Sequence, residues 1–138
     1  MADTIRLAQY FKMKAADKPG QAARALGSLR KAGVNLLAFS GFPRGGRAQL
    51  DFVVSGAASF KAATKRAKLK VQGPKACFLI SGNDRPGTGA ALTGKLASAK
   101  VNITALQAIG ASGGRYAALL FVKPRDVKKA ARALGARR

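Results

Sequence analysis

The sequence has no histidine, no glutamate and one cysteine, and its five acids are all aspartate. Without histidine or paired carboxylates, and with its one thiol in an apolar run, the chain lacks the usual acid, base and nucleophile sets. It reads as a non-enzyme with no cofactor. Cys77 cannot form an internal disulfide and reads as a small core residue. Apolar runs are also short: no window approaches the ~20 residues of a membrane span, so no membrane partner is expected. Arg6, Lys12 and Lys14 interrupt the first twenty residues, against a signal peptide. A cytoplasmic location is expected.

The shortage of acids leaves a formal net charge of +21, from 26 Lys or Arg against 5 Asp. Cations are spread evenly, 14 in residues 1–72 and 12 in residues 73–138, so neither half is a detachable basic arm. Two runs stand out, Lys61 to Lys70 and Lys123 to Arg138. One reading is a set of solvated helix faces that keep the protein soluble by self-repulsion; the other is an anionic partner, with weak non-specific nucleic-acid binding as its simplest form.

What the chain does contain is a duplication. Asp84 to Thr104 (DRPGTGAALTGKLASAKVNIT) repeats the skeleton of Asp17 to Leu37 (DKPGQAARALGSLRKAGVNLL), 67 residues upstream. Eight pairs keep that offset without a gap: Asp17 and Asp84, Pro19 and Pro86, Gly20 and Gly87, Gly27 and Gly94, Leu29 and Leu96, Ala32 and Ala99, Val34 and Val101, Asn35 and Asn102. A fixed period means one supersecondary unit built twice. It divides the chain into repeats at 1–72 and 73–138, each small enough to gain from sharing a sheet edge or helix face.

Within repeat 1, alternation predicts a strand over Ile5–Met13, then a helix from Gly20 to Ala32 with Ala25, Leu29 and Ala32 on one face. Val34–Phe42 and Arg47–Val54 form a hairpin around Pro43–Gly46, Ser59–Ala67 a basic helix, and Lys68–Gln72 an edge strand. Gly73-Pro74 marks the boundary. Repeat 2 follows with a strand at Ala76–Ser81, a helix at Gly87–Ala99, a hairpin of Val101–Ile109 and Arg115–Val122, and a helix at Val127–Leu134 opened by Pro124. The fold class is α+β: two tandem ferredoxin-like βαββαβ units, the second lacking its fourth strand. The edge left vacant beside its first strand should be covered by a partner chain, a helix or the N-terminal segment.

Asp17 and Asp84 stand just before a helix N-terminus, where a short acid can cap the helix. A second use is compatible with that one. Amides opened by Gly20 or Gly87 can hold a carboxylate, the Asp an ammonium, and Asn35 or Asn102 both a donor and an acceptor, which together match a free amino acid. The two Asn also suit a plain turn between helix and strand. The Gly89, Gly94, Lys95 spacing imitates a phosphate loop, but Leu96 replaces the Ser or Thr that would hold magnesium and the stretch lies inside a helix.

The pattern D-[KR]-P-G, helix, [GK]-V-N-[LI] and hairpin resembles the ACT domain, a regulatory amino-acid-binding module, over essentially the whole chain in two tandem copies. The resemblance implies a ligand-binding set of Asp17, Gly20, Asn35, Asp84, Gly87 and Asn102, with the effector at a seam where two modules join through their second strands. It also implies a homodimer or a regulated enzyme as partner. Serine-sensing members carry a His two residues before the loop Asp, where this chain has Ala15 and Gly82. A competing reading is a basic ferredoxin-like nucleic-acid binder, with Phe52, Tyr116 and Phe121 as candidate stacking residues. A third is a structural partner that docks on an acidic enzyme.

Overall fold

The computed structural model describes residues 3–137. The elements are β1 (Thr4–Ala16), α1 (Gln21–Lys31), β2 (Ala38–Arg44), β3 (Arg47–Val54), α2 (Ala57–Arg66), β4 (Gln72–Asn83), α3 (Thr88–Ser98), β5 (Ile103–Ala111), β6 (Arg115–Val122) and α4 (Val127–Leu134), the last preceded by a 3-10 turn at Pro124–Asp126. This is the α+β, twice-repeated ferredoxin-like pattern. No helix among the described residues is long and apolar enough to cross a membrane.

Two compact units result. The inserted unit is Gln9–Lys75; the outer unit combines the residues up to Ala8 with those from Ala76 onward. Strands β1 and β4 therefore contribute to both. The repeat boundary after residue 72 stands three residues short of the inserted unit's end, and residues 4–8, counted by the period in repeat 1, pack in the outer unit.

In the inserted unit β2 pairs with β3, and β3 with β1, both antiparallel. The fourth strand is not where alternation put it. Residues 68–71 are outside any strand, and the first two spend their amides on closing α2: Lys68 N–H donates to Lys65 O at 3.2 Å and Leu69 N–H to Thr64 O at 2.9 Å, with Lys68 at φ 59°. Leu69 and Val71 pack against the core instead. Pairing resumes at Gln72, and Gly73, far from interrupting the strand, lies against Tyr10 and Phe11: a Cβ there would stand 2.9 Å from the Tyr10 carbonyl oxygen. The strand starts that follow α1 and α3 are likewise later than expected, since Val34 and Val101 N–H donate back to Leu29 and Leu96 carbonyls.

The inserted core is aromatic. Phe11 and Phe60 rings lie 4.8 Å apart and Phe52 and Phe60 5.9 Å, contacts of about 0.5–1.5 kcal/mol each beyond area burial. The outer core is mostly aliphatic: Phe78, Ile80, Leu96 and Leu120 are fully buried beside Leu92, Val122, Ala130 and Leu134.

In the outer unit β4 pairs with β6, and β6 with β5. The edge of β4 that repeat 2 leaves without a fourth strand is taken by the N-terminal segment, one of the three covers expected. Ile5 is buried in the outer core and Leu7 packs on it. The chain end then adds to that segment, with Leu7 N–H donating to Arg137 O at 2.6 Å and Arg137 N–H to Ile5 O at 2.8 Å.

If the segment holds the outer unit together, Ile5→Ala lowers stability by about 2–5 kcal/mol in denaturant unfolding. Hydrogen exchange quickens across β4 and β6 while β2 and β3 keep their protection; a loss shared equally by β2 and β3 contradicts this assignment.

Candidate functional site

Strand β4 ends at Asn83, and the loop Asp84-Arg85-Pro86 leads to Gly87, the residue before α3. Gly87 has φ 86° and Gly20, its counterpart before α1, φ 89°. Nothing lies within 4 Å of a Cβ placed on either, so the left-handed backbone, not crowding, demands glycine. Because these glycines occupy the cap position and make no side-chain bond, Asp17 and Asp84 do not cap their helices. The capping alternative is thereby set aside, and both acids are exposed.

The Asp84 loop is anchored by its backbone. Asp84 N–H donates to Gly114 O at 2.8 Å, tying the loop to the β5–β6 turn, and Arg115 Nη1 donates to Asn83 Oδ1 at 2.9 Å. Arg85 Nη1 donates to Asn83 O at 3.0 Å and pairs with Asp3 at 3.4 Å. The Asp84 carboxylate is left beside β5, with Oδ2 3.4 Å from a Cβ placed on Gly110. At the helix start Ala91 N–H is the first to reach an α-helical acceptor, Gly87 O at 2.9 Å, which leaves the Gly89 and Ala90 amides as first-turn donors.

Asp84, Arg85, Gly87, Gly89 and Gly110 are among the residues that line a cleft of about 240 Å³ between the start of α3 and the edge strand β5. Asp84, Gly87 and Gly89 line its polar part, the buried Leu92 and Ala118 its floor, and the exposed Ala108 its β5 wall. Residues 104–111 of β5 are exposed, so the cleft opens along that edge. Sequence reasoning found Asp84 and Gly87 but missed the β5 wall. The wall becomes visible only in the register, which sets Gly110 opposite Tyr116 and Ala108 opposite Ala118.

Tyr116 also lines the cleft. It is only 6% exposed, and its hydroxyl forms no hydrogen bond of ordinary geometry. Burial, with the Asp3 carboxylate facing the hydroxyl, pushes the phenol up to about 12.

The two Asn lie elsewhere. Asn102 is exposed beyond the C-terminal end of α3, while Asp84 stands at its N-terminal end. Eleven residues at 1.5 Å per residue put about 16 Å between them. Asn35 lines a separate hollow of about 370 Å³ with Gly56, Ser59 and Arg66, to which Asp17 and Gly20 do not contribute. Within one unit, an Asp and its Asn cannot grip the same small molecule. Among the described residues there is no group of three or more His, Cys, Asp or Glu that could hold a metal, and Cys77 is buried.

A search of known family models finds no match to this sequence, and neither does a search of curated proteins. Solved structures do resemble it. A protein of Bacteroides thetaiotaomicron superposes with a TM-score of 0.80 at 20% identity, over 95% of this chain and 88% of that one. The ligand-free regulatory subunit of aspartate kinase from Thermus thermophilus gives 0.63 at 21% identity, over 98% and 95%. Aspartate kinase from Synechocystis gives 0.66 at 18% identity, over 97% of this chain but 26% of the kinase. At these identities the likeness shows the fold, an ACT-like one found both as a separate subunit and as part of a larger enzyme chain.

A raised phenol pKa stabilises the folded state below the unfolded value of about 10, and that stability is lost as pH climbs toward the folded value of about 12. Ultraviolet titration should therefore show a late-ionising tyrosine that Tyr116→Phe removes, with unfolding stability falling between those two values in the parent chain and falling less in the variant.

Proposed function

We propose that this chain is a non-catalytic regulatory protein that takes a free amino acid, or a similar small zwitterion, in the cleft of the outer unit. The observation that carries the reading is that an unpaired carboxylate, Asp84, and a helix-start residue with a free amide, Gly89, line one small cleft. Asp84 would take the ammonium, and the Gly89 amide with the positive end of α3 the carboxylate. The volume lies under the ~300 Å³ at which drug-sized pockets begin, which suits a molecule of this size. The shared fold with aspartate kinase regulatory subunits supports a regulatory role.

Asp17, Gly20, Asn35 and Asn102 belong to the site only where a neighbouring module or a second copy brings an Asn-bearing strand start to an Asp loop. The output runs through β5, since it is at once a wall of the cleft and an unpaired edge; a second copy or a regulated enzyme that pairs there would sense occupancy.

The test is thermal or chemical unfolding with each of the twenty common amino acids. A ligand at 100 times its Kd adds about 2.7 kcal/mol, and Asp84→Asn should abolish that gain while leaving unliganded stability unchanged. Stabilisation that survives Asp84→Asn moves the ammonium site elsewhere.

A second reading, binding of nucleic acid through its phosphates, draws on the inserted unit. There Lys75, then burial, Lys14 and Arg44 hold the Lys12 ammonium below its usual range, against a partial offset from Asp51. Crowded cations of this kind favour an anion. A base-stacking form is disfavoured, because Phe52, Tyr116 and Phe121 are all buried. Binding that weakens about a thousandfold or more between 50 and 200 mM salt is the non-specific phosphate contact expected of any chain so basic and leaves the first reading in place; a complex that persists at 200 mM salt would show contacts beyond the phosphates and favour nucleic acid as the functional partner.

A further inference from the structure

The outer cleft has two chemically different ends, and the register of β5 orders them. Gly110, Ala108 and Leu106 lie opposite Tyr116, Ala118 and Leu120, three residues whose side chains belong to the outer core. The β5 residues therefore face the helix side of the sheet. Being on the edge strand they are not covered, and Leu106 remains 39% exposed. Steps of two residues along a strand are about 7 Å. Reading along the wall, Gly110 stands beside the Asp84 carboxylate, Ala108 is one step away and Leu106 a second.

The polar side chains of the cleft are Asp84, Arg85, Thr88 and Tyr116, with Asp84 and Tyr116 at its Gly110 end. Thr88 is already committed, its hydroxyl donating to Arg85 O at 3.0 Å. Tyr116 is buried, and its hydroxyl, which forms no bond of ordinary geometry, faces the Asp3 carboxylate. Beyond it the lining is Leu92, Leu106, Ala108 and Ala118. A charged or amide tail placed there would lose its hydration with no partner in exchange, whereas a hydrocarbon tail loses nothing.

The inserted unit shows what closes such a space. Its corresponding register sets Phe39, Gly41 and Pro43 opposite Phe52, Leu50 and Ala48. Leu50 thus stands where the outer unit has Ala118, and its Cδ2 lies 3.1 Å from a Cβ placed on Gly41. The Phe39 ring rests on Phe52 at 5.7 Å. Ala48 in place of Tyr116 removes the hydroxyl, and Pro43 replaces Gly110 at the mouth. The tail space that small residues leave open in one repeat is filled in the other.

We propose that the outer cleft selects an amino acid with an aliphatic side chain, and that each chain offers one such site, the inserted unit's equivalent being filled by its own Leu50. This rests on the reading of the cleft as an amino-acid site. The full-length chain is titrated by calorimetry with leucine, isoleucine and valine, and in parallel with alanine, threonine, lysine and aspartate. At least one of the three aliphatic ligands should bind with one molecule per chain and on the order of tenfold or more tighter than alanine or the polar ligands, the usual worth of methylene groups in an apolar pocket. Ala118→Leu copies the filling seen in the inserted unit and should abolish binding. Ala108→Leu fills the same space from an exposed position, so it should weaken binding on the order of tenfold or more while circular dichroism and unfolding stay as in the parent. Tighter binding of lysine, aspartate or threonine overturns the aliphatic assignment and leaves the amino-acid reading standing. Two ligands per chain overturn the single-site assignment, and unchanged leucine affinity in a folded Ala108→Leu chain places the tail elsewhere and overturns it too. No binding by any amino acid removes the underlying reading, and this proposal with it.

Discussion

Every strand amide and carbonyl in a sheet needs a partner, and an edge that finds none must be covered or left to water. That constraint governs how the duplicated units are built. Each unit has a βαββα body and needs one more strand beside its first. The inserted unit takes the opening residues of β4, and the outer unit takes residues 4–8 of β1. Each of these long strands therefore serves as a first strand in one unit and as a fourth in the other. The chain's last described residue joins the same arrangement, as Arg137 bridges Arg6.

The candidate site follows from where that pairing stops. Edge strand β5 is held on one side only and runs beyond the cover of α3, so the helix-facing side of β5 becomes a wall instead of core. The loop before α3 then drops Asp84 next to Gly110, and the left-handed turn at Gly87 points the first-turn amides into the same space. In the inserted unit the same topology yields a packed surface, because Leu50 and Phe39 occupy what Ala118 and Leu106 leave open. Duplication copied the scaffold; side-chain volume decided what each copy became.

Charge behaves differently in the two places where it is concentrated. Around Lys12 the cations repel one another and Asp51, itself buried and hydrogen-bonded by Gln49 Nε2 at 3.1 Å, offsets them only in part. Beside the cleft a cation finds a partner: Arg85 pairs with Asp3 at 3.4 Å, the only ion pair found among the described residues. In a chain of +21 with five acids, two of them, Asp3 and Asp84, stand near Arg85, so the cations there are partly offset.

The sequence by itself determined the duplication, the α+β order of elements and the Asp-x-Pro-Gly entry to α1 and α3. Those features are written in local chemistry: a period of 67, alternation over strands, and glycines that only a left-handed turn requires. It did not determine that Lys68 and Leu69 would spend their amides on closing α2, nor that Asn102 would end up a helix length from Asp84. Nor could it show that Tyr116, Ala118 and Ala108 share a wall with that acid. Only the tertiary structure decided these, because cross-strand register and the reach of a helix over a sheet depend on residues distant in sequence, and a space between elements exists only once both are in place.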